Sequence, residues 1–371
     1  MTMKNDNFDT TATNLLEHFS SLLAPIPGFM SAAEFGPVRT ISSQEDPKAQ
    51  SLVFLGDPDF APKVLAALPI AVVVPDSHAD ALGAMVPTQL KKRIFALKTP
   101  NTYFAMAVVG QKLFPVSKLT YQIGQSSIHP TAVVDTQVKI GSDCIIGPGV
   151  VIARGSEIGD RTFIGAQCFV GPDCKIGTDC VIHPQVYIAH ECVLGNRVEI
   201  HPQCTIGTEG FGYASDKNRN STRIPHRGRV VIEDDVHLGA AVNVDRGTFA
   251  DVRIGRGTKI DNHCHLAHNT LIGENCLLTA GFLTAGSTTI GNNCTFGGRT
   301  SLNGHIQIAN NTTIAPISGV ERSITEPGQT LGGYPVLPFR EHLKTQSSLA
   351  SLPKMRKQIT KILKHLGLDA E

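Results

Sequence analysis

Residues 261–269 read DNHCHLAHN, three histidines and a cysteine within nine positions. Imidazole and thiolate are zinc ligands, and a single imidazole, with an unperturbed pKa near ~6.5, is a general base at neutral pH. The stretch therefore offers two chemistries: a metal site, or one base with two bystanders. His263 and His268 form H-x-x-x-x-H, and His226 and His237 lie upstream but out of phase with them. A catalytic zinc normally takes three protein ligands and an open position. Two candidates without a third in register argue against a metal and leave open which single imidazole would act as a base.

Which side chains can converge depends on the elements that carry them. The nine cysteines stand at 144, 168, 174, 180, 192, 204, 264, 276 and 294, every one a multiple of six. Redox pairs and metal clusters have no reason to hold that phase, but a six-residue structural repeat does. Aliphatic residues keep the same period from Ile140 through Ile146, Ile152, Ile158 and Ile164 to Ile206, with a small residue two positions before and often a glycine after. This is the hexapeptide pattern of a parallel β-helix, in which three short strands complete a coil of about 18 residues. The aliphatic side chain points into the prism, the small residue packs at the corner as a small hydrophobe, and glycine is expected to supply unusual turn dihedrals. All nine cysteines are thereby expected to be structural.

The phase breaks between Ile206 and Ile232 and again between Val244 and Ile254. Insertions that leave a solenoid intact usually line its binding face. The two breaks sum to two full coils, so the register is expected to return, and the repeat then runs to Ile314 for some ten coils. Three segments follow: an α/β domain over 1–122, the β-helix over 123–322, and a C-terminal extension with a helix over 323–371. In the first, LVFLG, AVVVP and RIFAL read as strands, and TATNLLEHFSSLL and TPNTYFAMAVVGQKLF as helices. In the last, Met355, Ile359, Ile362, Leu363 and Leu366 share a helical face opposite Lys354, Arg356, Lys357, Lys361 and Lys364, which suits a cap or a subunit contact.

A net charge of +1 provides no global field for nucleic acid. No apolar run approaches the ~18 residues of a membrane span, and the N-terminus lacks a signal-peptide pattern. The expectation is a soluble, cytoplasmic protein, with peripheral contact to a membrane left open.

The motifs TEGFGYA, IPHRGRVVIEDDVHLGA, VDRGTF, DNHCHLAHNTLIG and LNGHIQI, in that order, resemble those of the UDP-3-O-(3-hydroxyacyl)glucosamine N-acyltransferases, the third enzymes of lipid A assembly. The resemblance covers nearly the whole chain, most strongly 128–330. It implies a left-handed β-helix behind a uridine-binding domain, a homotrimer with active sites between subunits, and transfer of a 3-hydroxyacyl group from acyl carrier protein to the 2-amino group of a UDP-3-O-acylglucosamine. A thioester is already activated, so the reaction implies no cofactor, only a base, an oxyanion site and positioning. The resemblance makes His268 the base, Asp261 its orienting carboxylate, the Gly286 amide the oxyanion donor and His305 a ligand of sugar and phosphates. In LVFLGDPDF it makes Phe54 and Phe60 the aromatics that sandwich uracil. Asp57 then stands where an asparagine is usual and, once ionised, cannot donate, and Phe60 lacks the hydroxyl of the more usual tyrosine. Gly319 falls near the expected acyl channel, where a glycine would leave room for a longer chain. Contact with the inner membrane would follow from the product. Two other readings remain: an acetyl-CoA-dependent nucleotide-sugar N-acetyltransferase, and a non-catalytic β-helix scaffold.

Overall fold

The computed structural model describes residues 16, 18–31, 38, 40–113, 127–332 and 339–367. The chain forms two compact units, 1–120 and 121–371.

In the first unit, five short strands form one sheet. They are β1 (Ala24–Pro25), β2 (Ile41–Ser42), β3 (Leu52–Phe54), β4 (Ala71–Pro75) and β5 (Phe95–Thr99), in the order β1-β5-β4-β3-β2. All pairs are parallel except β1–β5. The three strands expected from LVFLG, AVVVP and RIFAL are β3, β4 and β5. Buried on both faces, they read as continuous apolar runs. Strand alternation sends Leu52 and Phe54 into one apolar cluster and Val53 and Leu55 into the other. The helix expected in TPNTYFAMAVVGQKLF spans Thr102–Leu113 and turns Ala105, Val109 and Leu113 inward. The segment TATNLLEHFSSLL lies partly outside the described residues.

The second unit is the left-handed parallel β-helix. Its three parallel sheets hold nine, ten and ten strands among the described residues, nearly all of two residues. Each strand pairs with its equivalent one coil on, as Ile158 with Ile176 and Ile164 with Ile182. The inward aliphatics form one continuous column of buried side chains.

The corner residue two positions before each aliphatic does more than fit. Cys168 and Cys174 direct Sγ at the carbonyls of His183 and Ala189, at 3.1 and 2.9 Å, and Ser156 and Thr162 donate Oγ to Gly171 and Gly177 at 2.9 Å. Cysteine, serine and threonine thus serve one corner role, satisfying a carbonyl of the next coil. All nine cysteines are free and buried, and burial pushes the Cys174 thiol up to about 12.

The glycines act differently from the sequence expectation. The left-handed turn residue stands three positions after the aliphatic and is usually not glycine: Arg161, Gln167, Asp173 and Asp179 have φ of 55–60°. Glycine directly after the aliphatic answers crowding between coils instead. A Cβ on Gly177 would lie 2.4 Å from the Gly195 oxygen.

The two insertions also differ in their arithmetic. They do not combine into whole coils. Each lengthens its own coil, so that Glu199 pairs with His237, and His237 with Lys259, across 38 and 22 residues rather than 18. Strand pairing continues through both.

The C-terminal helix spans Phe339–His365, with Pro353 inside it. Its apolar residues Met355, Ile359 and Ile362 are exposed, as is Leu366 just beyond its end. Among the described residues no helix is long and apolar enough to cross a membrane.

Candidate active site

One corner of the prism gathers the chemistry. It follows the strands of the sheet that contains Tyr187–Ile188, Thr205–Glu209, Asn243–Arg246, His265–Leu266, Leu283–Thr284 and Ser301–Leu302 on successive coils. Going up that corner, the chain passes His190, the long insertion, the short insertion, His268, Gly286 and His305.

The long insertion extends its strand to Glu209 and then forms a hairpin, Tyr213–Ser215 against Ser221–Arg223. The short one turns directly after Arg246. Arg246 ties the two together: it is 1 % exposed, donates Nε to the Gly228 carbonyl at 2.6 Å, and lies 2.9 Å from His190 Nδ1. A buried guanidinium persists only with such partners. Burial, then the Arg246 charge, pulls the His190 pKa down.

Asp245, one residue earlier, points the other way in the strand. It is 8 % exposed and stands 3.6 Å from His265 Nε2. Burial raises its pKa, while His265, His268, His226 and the Thr208 hydroxyl oppose the rise. His268 is half-buried, and desolvation lowers its pKa. His226, His305 and His265 lower it further, while Asp245 raises it. These influences together favour the neutral imidazole.

Gly286 lies directly against the His268 ring. A Cβ there would be 2.4 Å from His268 Nε2 and 2.7 Å from Cε1. Backbone bonds fix the pair: Ser287 N–H donates to the His268 carbonyl at 2.9 Å, and His305 N–H to the Gly286 carbonyl at 3.1 Å. Among the described residues the Gly286 N–H has no protein acceptor. The His268 ring thus abuts Gly286, whose amide is unspent, and a base beside such a donor is the pair that attack on a carbonyl with a developing oxyanion requires.

The structure brings together His268, Gly286 and His305 of the residues singled out by sequence, and His305 is exposed at φ 60°. It does not bring Asp261 to His268 within one chain. Asp261 follows Ile260 at a different corner, where its carboxylate accepts from the Asn262 and Ala280 amides at 2.7 and 3.1 Å. Within the chain, the carboxylate acting on His268 is Asp245. His263 is exposed at φ 58°, whereas His265, read as a bystander, is joined to Asp245. The sequence reading missed Asp245, whose signal was VDRG, quoted only as a motif, and it weighed His226 only as an out-of-phase metal candidate, although IPHRGRVVIEDDVHLGA contains it.

In the first unit, Phe54 is buried and borders a cleft of about 230 Å³ lined also by Ser42, Gln44, Gly56, Thr102 and the exposed Tyr103. Phe60 instead packs against the cluster on the other face of the sheet. Asp57 is exposed, and its Oδ1 accepts from the Asp59 amide at 3.0 Å, capping a short turn. Gly319 has open space where a Cβ would stand and borders a cleft of about 450 Å³ with Ile314, Val320, Ile324 and Leu331.

Among the described residues, the group of His183, Glu199 and His201, at a corner away from His268, stands closely enough together to hold a metal. Its partners already satisfy one another, with His183 and His201 Nε2 at 3.0 and 3.3 Å from Glu199 Oε1. The His183 bond, above all, holds the Glu199 carboxyl below its usual range.

A family profile described as the GMPPB C-terminal domain matches residues 122–206. The UDP-3-O-acylglucosamine N-acyltransferase of Polynucleobacter asymbioticus is 34 % identical over 330 residues, 88 % of this chain and 92 % of that one. The protein of the same name from Cupriavidus metallidurans is 38 % identical over 318 residues, 84 % of each chain. Among solved structures, an Arabidopsis UDP-N-acetylglucosamine acyltransferase aligns with a TM-score of 0.50 at 20 % identity. The alignment covers 56 % of this chain and 71 % of that one, a likeness of fold.

Proposed function

Because the chain belongs to the UDP-3-O-acylglucosamine N-acyltransferase family, we propose that it acylates the 2-amino group of a UDP-3-O-acylglucosamine in lipid A biosynthesis, with a 3-hydroxyacyl thioester of acyl carrier protein as donor. The observation that carries this reading is the contact of His268 Nε2 with Gly286 beside an unspent amide.

The amine nitrogen attacks the thioester carbon and a C–N bond forms. The carbonyl π electrons move to oxygen, where the Gly286 N–H donates to them, and Nε2 of His268 takes the amine proton. When the oxyanion collapses, the C–S bond breaks and the pantetheine thiolate leaves, receiving that proton from the imidazolium. A positioned base contributes about 10²–10⁴-fold and one oxyanion donor about 10²–10³-fold. His305, one coil above Gly286, is placed to meet the acceptor's sugar or phosphates. The cleft bordered by Phe54 is the candidate uracil site, and Asp57, engaged as a cap, supplies no amide to it. The active unit is a homotrimer whose neighbouring chain closes the cleft at this corner.

The test is turnover of UDP-3-O-(3-hydroxyacyl)glucosamine with 3-hydroxyacyl carrier protein against turnover with acetyl-CoA. Transfer from the carrier protein alone is the expected result. Preference for acetyl-CoA would assign the chain to N-acetyl transfer, and no transfer from either donor would leave a scaffold.

A further inference from the structure

Two imidazoles meet at the long insertion, and the acyl-transfer scheme uses only one of them. His226 is 2 % exposed, yet neither of its ring nitrogens has a protein partner among the described residues. Nδ1 of His268 is likewise buried and unpartnered. The two rings stand edge to face, with centroids 5.2 Å apart at 74°. The glycines of GFG make room for both. A Cβ on Gly210 would lie 2.9 Å from His268 Nδ1 and 3.1 Å from His226 Nε2, and one on Gly212 would lie 2.8 Å from His226 Cε1. The insertion is thus built around these rings.

Leaving three buried nitrogens unpaired costs free energy that a fold does not spend without return. Each neutral imidazole carries one donor and one acceptor. A base that uses Nε2 must carry its proton on Nδ1, and an acceptor on that side fixes the tautomer. Within the chain, the groups on that side are the His226 ring and the Asp245 carboxylate. Asp261, the residue first expected to do this, is spent on backbone amides at another corner.

We propose that His226 is a positioning residue for the acyl transfer, accepting the Nδ1 proton of His268, directly or through one water, so that Nε2 faces Gly286 with its lone pair. The inference rests on the acyl-transfer reading of that site. Asp245, bridging toward His265, provides the countercharge when the imidazolium forms. The charged and titratable groups that bear on His268 are His226 from the insertion, Asp245 from the strand below, His265 from its own strand and His305 from above.

His226→Leu and His226→Gln test this, with two readouts on each folded protein. The first is kcat and KM separately. The second needs no activity: the pH dependence of His268 modification by diethyl pyrocarbonate, read by peptide mass, which follows the neutral imidazole. In His226→Leu the expected result is a kcat lower by about 10- to 1,000-fold with KM little changed, between a weak orienting effect and a wrong tautomer. The His268 modification midpoint should fall, because the acceptor that stabilises the imidazolium's Nδ1 proton is gone. The glutamine, whose amide oxygen accepts, should recover most of the rate. Equal losses in both variants, or an unmoved midpoint in the leucine variant, overturn the proposal. If the wild type transfers no acyl group, the acyl-transfer reading falls, and the modification midpoint still decides whether His226 governs His268.

Discussion

The regular coils from Lys139 to Ile200 and the corner that carries His268 are made from the same repeat, but they treat polar groups in opposite ways. In the regular coils every corner hydroxyl or thiol finds a carbonyl, as Ser156, Thr162 and Cys174 do. Surface charges there pair along ladders such as Arg161–Asp179. At the His268 corner a carboxylate is buried with its pKa raised, and three imidazole nitrogens have no protein partner among the described residues. Polar groups left unsatisfied in an otherwise consistent fold mark where stability has been traded for chemistry. The difference teaches that the repeat supplies rigidity and the departures from it supply function.

If that division holds, damage to the two regions should separate. Ile200 is fully buried in the regular column, so Ile200→Ala should cost about 2–5 kcal/mol of stability and leave kcat unchanged wherever the protein stays folded, as denaturant melts and assays at low temperature would show. Gly286→Ala should do the reverse. The new methyl group meets the end of a side chain, the His268 ring, so melting should barely change while kcat falls about 100-fold as the ring is pushed from its place, on the scale of a positioned base. A large loss of stability in Gly286→Ala, or of kcat in Ile200→Ala, would erase the contrast.

The protonation state sharpens it further. Desolvation and neighbouring imidazoles hold the His268 pKa below its usual value, so the base stays neutral further into acid. The acid limb of kcat/KM should therefore fall below pH ~6.5, and a limb above that value would place another group in the role. The smallest effect belongs to the regular corner. Cys174→Ser keeps a donor where Ser156 already works, so stability should shift by no more than about 1 kcal/mol. With its thiol pushed up to about 12, native Cys174 should resist Ellman's reagent until the chain is unfolded.

The fold was largely legible because a six-residue period dictates each inward residue independently, and strand pairing then places equal phases on one corner. That phase accounts for His268 and Gly286, 18 residues apart, standing side by side. The role of glycine was misjudged because the period reveals that space is scarce but not where the backbone turns left-handed. Asp261 was named from the resemblance, although the phase puts it at another corner, and Asp245 was not singled out. His226 was illegible for a different reason: its position is set by contacts within the insertions, such as Ile224 N–H to the Gly212 carbonyl and Arg246 to Gly228, and no period runs through them.

The central claim is that one imidazole at this corner is the base for acyl transfer. The most direct measurement compares wild type with His268→Ala, using UDP-3-O-(3-hydroxyacyl)glucosamine and 3-hydroxyacyl carrier protein, on samples matched for fold and assembly. A fall in kcat of at least about 100-fold is the predicted result. Turnover in the alanine variant within a few-fold of wild type would contradict the claim.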